Sequence, residues 1–382
     1  MPSVLSIFGF TLHLFCMKRI SLILLIVIAV ACTKTNKGLN YPDIGNISEF
    51  VIKYNPEWLL FSEFLGRVEY VRLETNTESL IASVDKVIAS DEAIYILDLV
   101  QHSITCFGID GRYIARFYQQ GRGPGEYLEI NDIDIINSQL IALLDNQRLV
   151  TLDGKLAIEK TESIPFRAAG LLAIDNSRII FFTDQFSGEL KEGSNEFNQL
   201  IEYDVKSRRA IPLLRKESAI TSYIRCERSL YRSDDLSFSL PNKSTILSLG
   251  PGGIEGGLVL ILDKYREPNN EDTEASVIMV RDVFRKGNYL SFNWSSLQDG
   301  RFNYNSAILD IEAGNSYNRI KDDIDLLGMV PIKGTFRDGF IGYLNPQMVS
   351  QLISIKPEVL RRLALDNTIL DNPTIVFYHV KQ

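Results

Sequence analysis

One strand-and-turn pattern occurs twice in succession between Val84 and Lys155. Each copy has three short apolar segments and a closing Asp-Gly turn: residues 85–88, 94–98 and 104–109 with Asp110-Gly111 in the first, and residues 132–135, 140–144 and 149–152 with Asp153-Gly154 in the second. A weaker third copy runs through residues 179–184 and 200–205. Short apolar strands that alternate with Asp-Gly turns and recur about every 40–50 residues are typical of radial β-repeats, such as the blades of a propeller.

The two ends of the repeating region are predicted to meet. Residues 374–380 form a strongly apolar segment near the C-terminus, and residues 68–73 alternate as a sheet strand does at the start of the domain. A ring of blades keeps two open sheet edges unless its last sheet is completed from the other end of the chain. We therefore expect these two segments to pair and to close the ring.

The remaining sequence adds weaker strands and a short helical insertion. Further strands are predicted near residues 245–249, 258–262, 277–284, 289–294, 306–311 and 339–344. Asn345 and Pro346 are typical of an N-cap and a first helical position, and a second short helix is predicted to start at Pro357. The helical spacing of the apolar residues behind these starts favours packing on a blade face over binding a partner.

The composition fits one large β domain and argues against nucleic-acid binding. Hydrophobic residues make up 45% of the chain, which is enough for a large core, and charged residues make up 23%. The formal net charge is −8. Nucleic-acid binding depends on the neutralisation of phosphates by lysine and arginine, so a negative chain without basic runs is a poor candidate.

The N-terminus has the pattern of a secretory signal. Lys18 and Arg19 precede an apolar run, residues 20–30, that is too short to span a bilayer comfortably. The segment Ala29-Val30-Ala31-Cys32 resembles a bacterial lipobox, in which the cysteine is acylated and becomes the new N-terminus. We therefore expect Cys32 to be the lipid attachment site, and the alternative is a plain signal peptide followed by an incidental cysteine.

These observations predict a division of the chain into four parts. Residues 1–16 have no role in such a signal and are interpreted as a misassigned upstream start, with Met17 as the true start. Residues 17–31 form the signal peptide, residues 32–47 a polar tether, and residues 48–382 a single propeller domain. The tether lacks the acidic cluster that often accompanies surface export in related lipoproteins, which favours an anchor that faces the periplasm.

Two further cysteines are expected to lie in the oxidising compartment that such a signal implies. They are Cys106 and Cys226, and a disulfide between them is one alternative. Nothing in their spacing requires a bond, and Cys106 occupies an apolar strand position. Two separate buried thiols are therefore favoured.

A glycine-rich segment with Gly121, Gly123 and Gly125 permits two interpretations. Such a run could cradle a phosphate, but a phosphate loop ends in Lys-Ser/Thr or opens a helix with a different glycine spacing. Here Pro124 interrupts the run, and Glu126 places a negative charge where a phosphate would bind. We interpret the three glycines as a structural turn between blades, with a positive φ at Gly123.

The sequence assigns no catalytic residue, cofactor site or metal ligand. His102 and His379 are far apart, no pair of histidines or cysteines has metal-ligand spacing, and no Gly-x-Ser-x-Gly elbow occurs. Asp132 and Asp134 lie on one face of a predicted strand, so a metal bound by oxygen ligands is an alternative. Aspartates in strands that end at turns more often cap those turns, and that interpretation is favoured.

Several of these segments together resemble a known family. They are residues 70–75, 95–98, 110–111, 121–127, 339–341, 345–346 and 372–373. This set resembles the six-bladed β-propeller lipoproteins of Gram-negative anaerobes, which are similar to NHL-repeat propellers. The resemblance covers nearly all of residues 68–381 and implies an all-β, six-bladed ring and an envelope location. It implies no reaction, because most members have no assigned activity.

Two hypotheses about function follow. The first is a membrane-anchored, non-enzymatic binding or scaffold module for a glycan, a peptide or an envelope protein. The alternative is a propeller hydrolase or lyase, similar to lactonases that hold one divalent metal in the central channel. The poverty of histidine and the lack of a nucleophile motif favour the first. Three or four inward carboxylate and amide side chains around the channel mouth would favour the second.

Overall fold

Six sheets of short antiparallel strands follow one another around the domain. The computed structural model describes residues 47–52, 59–183, 190, 198–215, 229–239, 244–262, 278–298, 301–317, 320–321, 330–353, 357–362 and 371–381. These residues belong to one unit, Ile44–Gln382. The predicted signal peptide, Cys32, the tether before residue 47 and Cys226 lie outside the described residues.

The strands, in chain order, have the following bounds. The first fourteen are β1 (Ile47–Ile52), β2 (Leu59–Leu60), β3 (Leu65–Arg72), β4 (Lys86–Ala89), β5 (Ala93–Asp98), β6 (Ser103–Gly108), β7 (Tyr113–Phe117), β8 (Ile130–Ile136), β9 (Gln139–Leu144), β10 (Arg148–Leu152), β11 (Ile158–Ser163), β12 (Gly170–Ala173), β13 (Arg178–Phe182) and β14 (Asn198–Asp204). The others are β15 (Arg209–Arg215), β16 (Leu230–Arg232), β17 (Leu236–Ser239), β18 (Thr245–Gly250), β19 (Gly253–Leu262), β20 (Ile278–Lys286), β21 (Tyr289–Gln298), β22 (Arg301–Asp310), β23 (Asn315–Tyr317), β24 (Ile320–Lys321), β25 (Ile332–Phe336), β26 (Gly339–Leu344) and β27 (Thr374–Val380).

These strands build a six-bladed β-propeller. Blades 1 to 5 are β4–β7, β8–β11, β12–β15, β16–β19 and β20–β23, and blade 6 is β25, β26, β27 and β3. The first strand of each blade lies innermost, since β12 contacts β8 and β16, β20 contacts β16 and β25, and β25 contacts β4. We call the end of the ring where the innermost strands begin the upper face, and the opposite end the lower face. The six-bladed prediction is confirmed.

The strands in the middle of each blade are buried on both faces. In β5, β9 and β13, almost every residue is inaccessible to solvent, because each sheet is covered by a blade on either side. Strands covered on both faces are continuous apolar runs rather than alternating ones, as these three are in the sequence. The core therefore lies between the blades, for example where Leu97 and Ile104 of blade 1 meet Ile133 and Val150 of blade 2.

The ring is closed by strands from opposite ends of the chain. β27 pairs in antiparallel fashion with β3, from Thr374 opposite Arg72 to Val380 opposite Leu65. The other edge of β27 pairs with β26. The predicted closure is confirmed, and it makes β27 an interior strand of blade 6.

An additional N-terminal strand was not anticipated from the sequence. β1 pairs with β19 in parallel, from Ile47 opposite Gly257 to Ile52 opposite Leu262. It thereby adds a fifth strand to the outer edge of blade 4. Farther along the chain, β2 forms a short parallel pair with β24. The N-terminal segment of the domain therefore contacts the ring before β3 completes it.

The described part of the chain also contains three short helices: α1 (Phe61–Phe64), α2 (Pro346–Ile353) and α3 (Pro357–Arg362). The Asn345 side chain accepts a hydrogen bond from the Met348 N–H at 2.7 Å, as an N-cap does. Val349 and Leu360 are buried in the core, so this helix pair packs on the blades as predicted. No helix in the described part of the chain is long and apolar enough to cross a membrane.

Cys106 lies in the core between blades 1 and 2 as a free, buried thiol. Burial raises its pKa to about 11, because the thiolate would lose its hydration there. A thiol that stays protonated at neutral pH is a poor nucleophile. Cys106 is therefore a packing residue.

Candidate functional site

The central channel contains a layer of charge between blades 1 and 2. Lys86, the first residue of β4, places its Nζ 2.9 Å from Oδ1 of Asp132 in β8. The other oxygen of Asp132 accepts a hydrogen bond from the backbone N–H of Leu171 in blade 3, at 3.0 Å. Both side chains are largely buried. This carboxylate therefore ties three successive blades together.

A second layer forms around Asp134, two residues along the same strand. Its Oδ2 accepts hydrogen bonds from the Ala173 N–H and from Nη2 of Arg232, both at 2.8 Å. Arg232 belongs to blade 4, so its side chain reaches past blade 3 to blade 2, and it also donates to the Ala173 carbonyl. From blade 6, the Thr335 hydroxyl lies 3.5 Å from the Arg232 carbonyl. Side chains from blades 2, 4 and 6 and backbone groups of blade 3 thus meet in the channel.

A third ion pair joins blades 5 and 6. Lys333 Nζ lies 3.1 Å from Oδ2 of Asp282, which also accepts a hydrogen bond from the Asn293 amide at 2.8 Å. Asp282 has a φ of +52°, and the register of β20 shifts at this point. The bulge re-aims the Asp282 side chain, as bulges in edge and barrel strands commonly do.

These contacts decide between the two interpretations of Asp132 and Asp134. Both lie inside β8 rather than at its ends, so the interpretation as turn caps is wrong for them. Asp98 does cap a turn, since its carboxylate accepts a hydrogen bond from the Gln101 N–H, whereas Asp145 accepts one from the Leu128 N–H of loop 118–129. Asp132 and Asp134 instead carry the ion pairs of the channel.

A divalent metal would have to displace the lysine and arginine side chains that are paired with the channel carboxylates. Each of the three channel carboxylates is paired with a lysine or an arginine, whereas hard divalent ions need several oxygens that are free to coordinate. Within the described ranges, no group of three or more His, Cys, Asp or Glu side chains could hold a metal ion. The channel geometry fits a role in linking the blades.

The two histidines of the domain lie apart. His102 is in the turn between β5 and β6 on the upper face, with a φ of +49°. His379 is near the lower end of β27, where its Nδ1 lies 2.7 Å from Oδ1 of Asp338. They occupy opposite ends of the ring and do not form a joint site.

The glycine-rich segment lies on the upper face between blades 1 and 2 and is held by Tyr127. The Tyr127 hydroxyl donates to the His102 carbonyl at 2.7 Å and accepts from the Gln119 N–H at 3.2 Å. Its ring stacks on Phe117, with the centroids 5.1 Å apart. Burial raises the pKa of Tyr127 to about 12. This anchoring fixes loop 118–129 on the ring.

The three glycines of this segment differ in the structural role that each one has. Gly123, Pro124, Gly125 and Glu126 form a turn closed by a hydrogen bond from the Glu126 N–H to the Gly123 carbonyl at 3.1 Å. Gly125 has a φ of +85°, as the third residue of a type II turn requires. The predicted positive φ at Gly123 is therefore wrong, because the left-handed residue of the turn follows Pro124.

Gly121 and Gly123 lie against the Glu126 side chain instead, and its flexible end would have to move to admit a Cβ at either position. A Cβ at Gly121 would collide with the Glu126 carboxylate, and one at Gly123 would lie 3.1 Å from it. Oε2 of Glu126 accepts a hydrogen bond from the Gly123 N–H at 2.6 Å. The carboxylate of the chain itself thus occupies the position that a phosphate would take in a phosphate cradle.

Replacement of Gly125 by alanine should lower the stability of the domain. The left-handed conformation costs a residue with a Cβ about 1–3 kcal/mol. Apart from the two chain neighbours, no described atom lies within 4 Å of the added Cβ to complicate the comparison. Gly154→Ala is the matched control, since Gly154 also has open space around it and lacks a positive φ. Urea unfolding of both variants measures the difference. Equal stability of the two variants would contradict a strained turn at Gly125.

Exposed apolar side chains gather on the upper face of blades 1 and 2. Their exposed fractions are 42% for Leu80, 70% for Val100, 54% for Tyr118 and 53% for Leu128. The four residues lie in the loops 73–85, 99–102 and 118–129, and we call them the upper apolar patch. Large apolar side chains that cluster on one exposed face, rather than occurring singly, are typical of binding surfaces.

Hydrogen bonds join the loops of the upper apolar patch. The Gln101 amide donates to the Leu80 carbonyl at 3.0 Å, and Arg116 Nη2 donates to Oε1 of Gln101 at 2.5 Å. The Arg116 guanidinium also lies 5.1 Å from the centre of the Tyr118 ring. The patch is therefore supported by a connected set of side chains rather than by isolated loop tips. None of its residues was singled out in the sequence as a site.

The comparisons with known proteins concern the fold and the family. Residues 49–379 match the family model described as a domain of unknown function, DUF4934. The fold is similar to that of a presumed exported protein from Bacteroides fragilis NCTC 9343, with a TM-score of 0.67 at 13% identity, over 88% of this chain and 100% of that chain. A DUF4221 family member from Bacteroides vulgatus aligns with a TM-score of 0.49 at 11% identity, over 84% of this chain and 98% of that one. No curated protein matches the sequence.

The two kinds of match carry different weight. At these identities, the solved structures show a common fold alone. The family model, in contrast, is a match of sequence and extends over most of the chain, from the middle of β1 to the last residues of β27. The chain therefore belongs to the DUF4934 family.

Proposed function

We propose that this protein is a lipoprotein of the cell envelope and that its propeller is a binding or scaffold module without enzymatic activity. The anchor is the acylated Cys32, and the propeller faces the periplasm. The partner is an envelope protein that docks on the upper apolar patch. The exported character of the similar Bacteroides fragilis protein supports the location. The composition of the N-terminal segment supports the anchor.

The upper apolar patch is the observation that carries the binding role. Tyrosine and arginine are enriched at protein interfaces, and Arg116 and Tyr118 lie together at this patch. Tyr127 and the Gln101 hydrogen bonds hold the loops in one arrangement. A surface that is ordered before binding loses less conformational entropy when a partner docks.

Substitution of two patch residues by aspartate should abolish partner binding and leave the fold intact. Val100→Asp with Leu128→Asp places charges where a partner would bury apolar surface, at a cost of several kcal/mol of binding energy. Chemical cross-linking in intact cells, followed by purification of the tagged protein and mass spectrometry, measures the partners. The expected result is a cross-linked envelope protein that disappears in the double variant.

A matched control separates this effect from a general one. Ile114→Asp with Ile311→Asp makes the same change at two exposed isoleucines outside the patch, at β7 and at a turn of the lower face. This variant should keep the cross-linked partner. Identical cross-linking of wild type and patch variant, or no partner in the wild type, would contradict the proposal.

The lipid anchor has its own test. Cys32→Ala should eliminate incorporation of radiolabelled palmitate, because no thiol remains at the position of acylation. Cys106→Ala serves as the control, since it removes a free cysteine of the folded domain and should leave labelling unchanged. Equal labelling of the wild type and Cys32→Ala would refute the lipoprotein assignment and leave the plain signal peptide as the explanation.

A further inference from the structure

A cavity of about 810 Å³ opens between blades 2 and 3. Its lining includes the turn residues Asn137 and Asn176 of the two blades, so it lies toward the lower face. The amide of Asn137 donates to the Asn176 carbonyl at 3.0 Å and bridges the blades at that point. Cavities of roughly 300–1,000 Å³ are the usual size of ligand sites. None of the channel ion pairs and none of the upper apolar patch lines this one.

The floor of the cavity is aliphatic and rigid. Ile141, Leu149 and Ile179 line it, and all three belong to the fully buried core between blades 2 and 3. Ile136 and Val205 extend the apolar surface toward solvent. A floor of branched aliphatic side chains, fixed by the core behind it, accepts an aliphatic group of a ligand.

The wall on blade 2 presents hydrogen-bond acceptors. The Gln139 amide donates to Oε2 of Glu159 at 2.5 Å. Because this amide is neutral, the hydrogen bond does not compensate the negative charge of Glu159. Lys160 Nζ lies 3.0 Å from Oε2 of Glu162, and the charges of this pair offset each other. The net charge of this wall is therefore negative and is located at Glu159.

The wall on blade 3 presents cations. Lys206 and Arg208 line the cavity from the turn between β14 and β15. Within the described part of the chain, the side chains of Lys206 and Arg208 form no hydrogen bond or ion pair. Arg209, the first residue of β15, adds a third cation, so the charge at this point stays positive despite Asp204 at the end of β14.

The cationic turn has a fixed shape. Oδ1 of Asp204 accepts hydrogen bonds from the backbone N–H groups of Lys206 and Ser207, at 3.0 and 2.6 Å. Arg208 has a φ of +56°, which closes the turn. The backbone positions that carry the two cations are thus fixed beside the cavity before any ligand arrives.

We propose that this cavity binds a short acidic peptide. Its carboxylates pair with Lys206 and Arg208, its backbone N–H groups face Glu159 and Gln139, and an aliphatic side chain lies on the floor. A peptide is favoured over a glycan because it combines donors, carboxylates and an aliphatic group in a short length. Among the described residues that line the cavity, none has an aromatic side chain on which a sugar ring could stack. The site is separate from the upper apolar patch and does not depend on the function proposed for it.

Fluorescence anisotropy with a labelled hexapeptide of alternating leucine and glutamate tests this proposal on the purified protein. Wild type should bind the probe, and Arg208→Glu and Lys206→Glu should each weaken binding by about tenfold or more, the effect of losing one charge-assisted contact. Arg112→Glu makes the same charge change at an exposed residue in a lower-face turn of blade 1 and should bind as the wild type does. The matching leucine–lysine peptide should not bind.

Three outcomes would overturn the proposal. They are no binding by the wild type at probe concentrations of about 1 mM, equal weakening by Arg208→Glu and Arg112→Glu, and equal binding of the two peptides. Tighter binding of an acidic oligosaccharide than of the peptide would replace the ligand class. The patch variant Val100→Asp with Leu128→Asp should bind the probe normally, so this test and that of the upper apolar patch fail separately. Melting temperatures of all variants confirm that they are folded.

Discussion

Removal of Pro373–Gln382 should abolish the cooperative unfolding of the entire domain. The deleted segment contains β27, whose Ile375, Val376 and Tyr378 are fully buried. Each such side chain contributes about 2–5 kcal/mol when truncated, and a whole domain is stable by only about 5–15 kcal/mol. The deletion also separates β26 from β3, which leaves two open sheet edges in blade 6. Circular dichroism during heating measures the loss.

The control for this truncation removes Gln382 alone and keeps all of β27. It should melt at the temperature of the full-length protein with the same steepness. Retention of a cooperative transition at that temperature by the longer truncation would mean that the ends of the chain do not hold the ring together. A partial, early transition that leaves the main one in place would restrict the effect to blade 6.

Asp134→Ala should be the most damaging single substitution in the channel. It leaves the Ala173 N–H without its acceptor and Arg232 without its carboxylate. Removal of one partner from a fully buried pair costs about 3–5 kcal/mol, and exposed pairs are worth less than about 1 kcal/mol. Because Arg232 retains some contact with water, we expect a loss of about 2–4 kcal/mol, measured by urea unfolding.

Two further variants serve as controls for the unfolding measurement on Asp134→Ala. Asp110→Ala removes the acidic partner of an exposed pair with Arg112 and should cost less than about 1 kcal/mol. The double variant Asp134→Leu with Arg232→Met replaces the channel pair by apolar side chains and should recover part of the loss. Equal effects of Asp134→Ala and Asp110→Ala would show that the channel layer does not link the blades.

The sequence predicts the repeated strands because their burial leaves a direct trace. β5 and β9 are continuous apolar runs, and the Asp-Gly turns separate them at regular intervals. The pairing of β3 with β27 follows from the general need to avoid open edges. β1 has no such local pattern. It becomes a strand by pairing in parallel with the edge of β19, which lies about 200 residues later in the chain.

The channel contacts could not be predicted from spacing. Lys86 and Asp132 lie 46 positions apart and Asp134 and Arg232 lie 98 apart, so only the closed ring brings them together. The available signal was two aspartates at positions i and i+2 of β8, which face the same side of a strand whose other residues, except Asn131, are apolar. The positive φ could have been assigned to Gly125 from the sequence, since Pro followed by Gly is typical of the two central residues of a type II turn.

The pairing of β3 with β27 also determines when the ring can close during synthesis of the chain. Synthesis runs from the N-terminus, so β3 emerges while its partner is still about 300 residues away, a delay of roughly 15–60 s at about 5–20 residues per second. During this interval β3 has an unsatisfied edge that can pair with another chain. Completion of the ring must therefore wait for the final strand, β27.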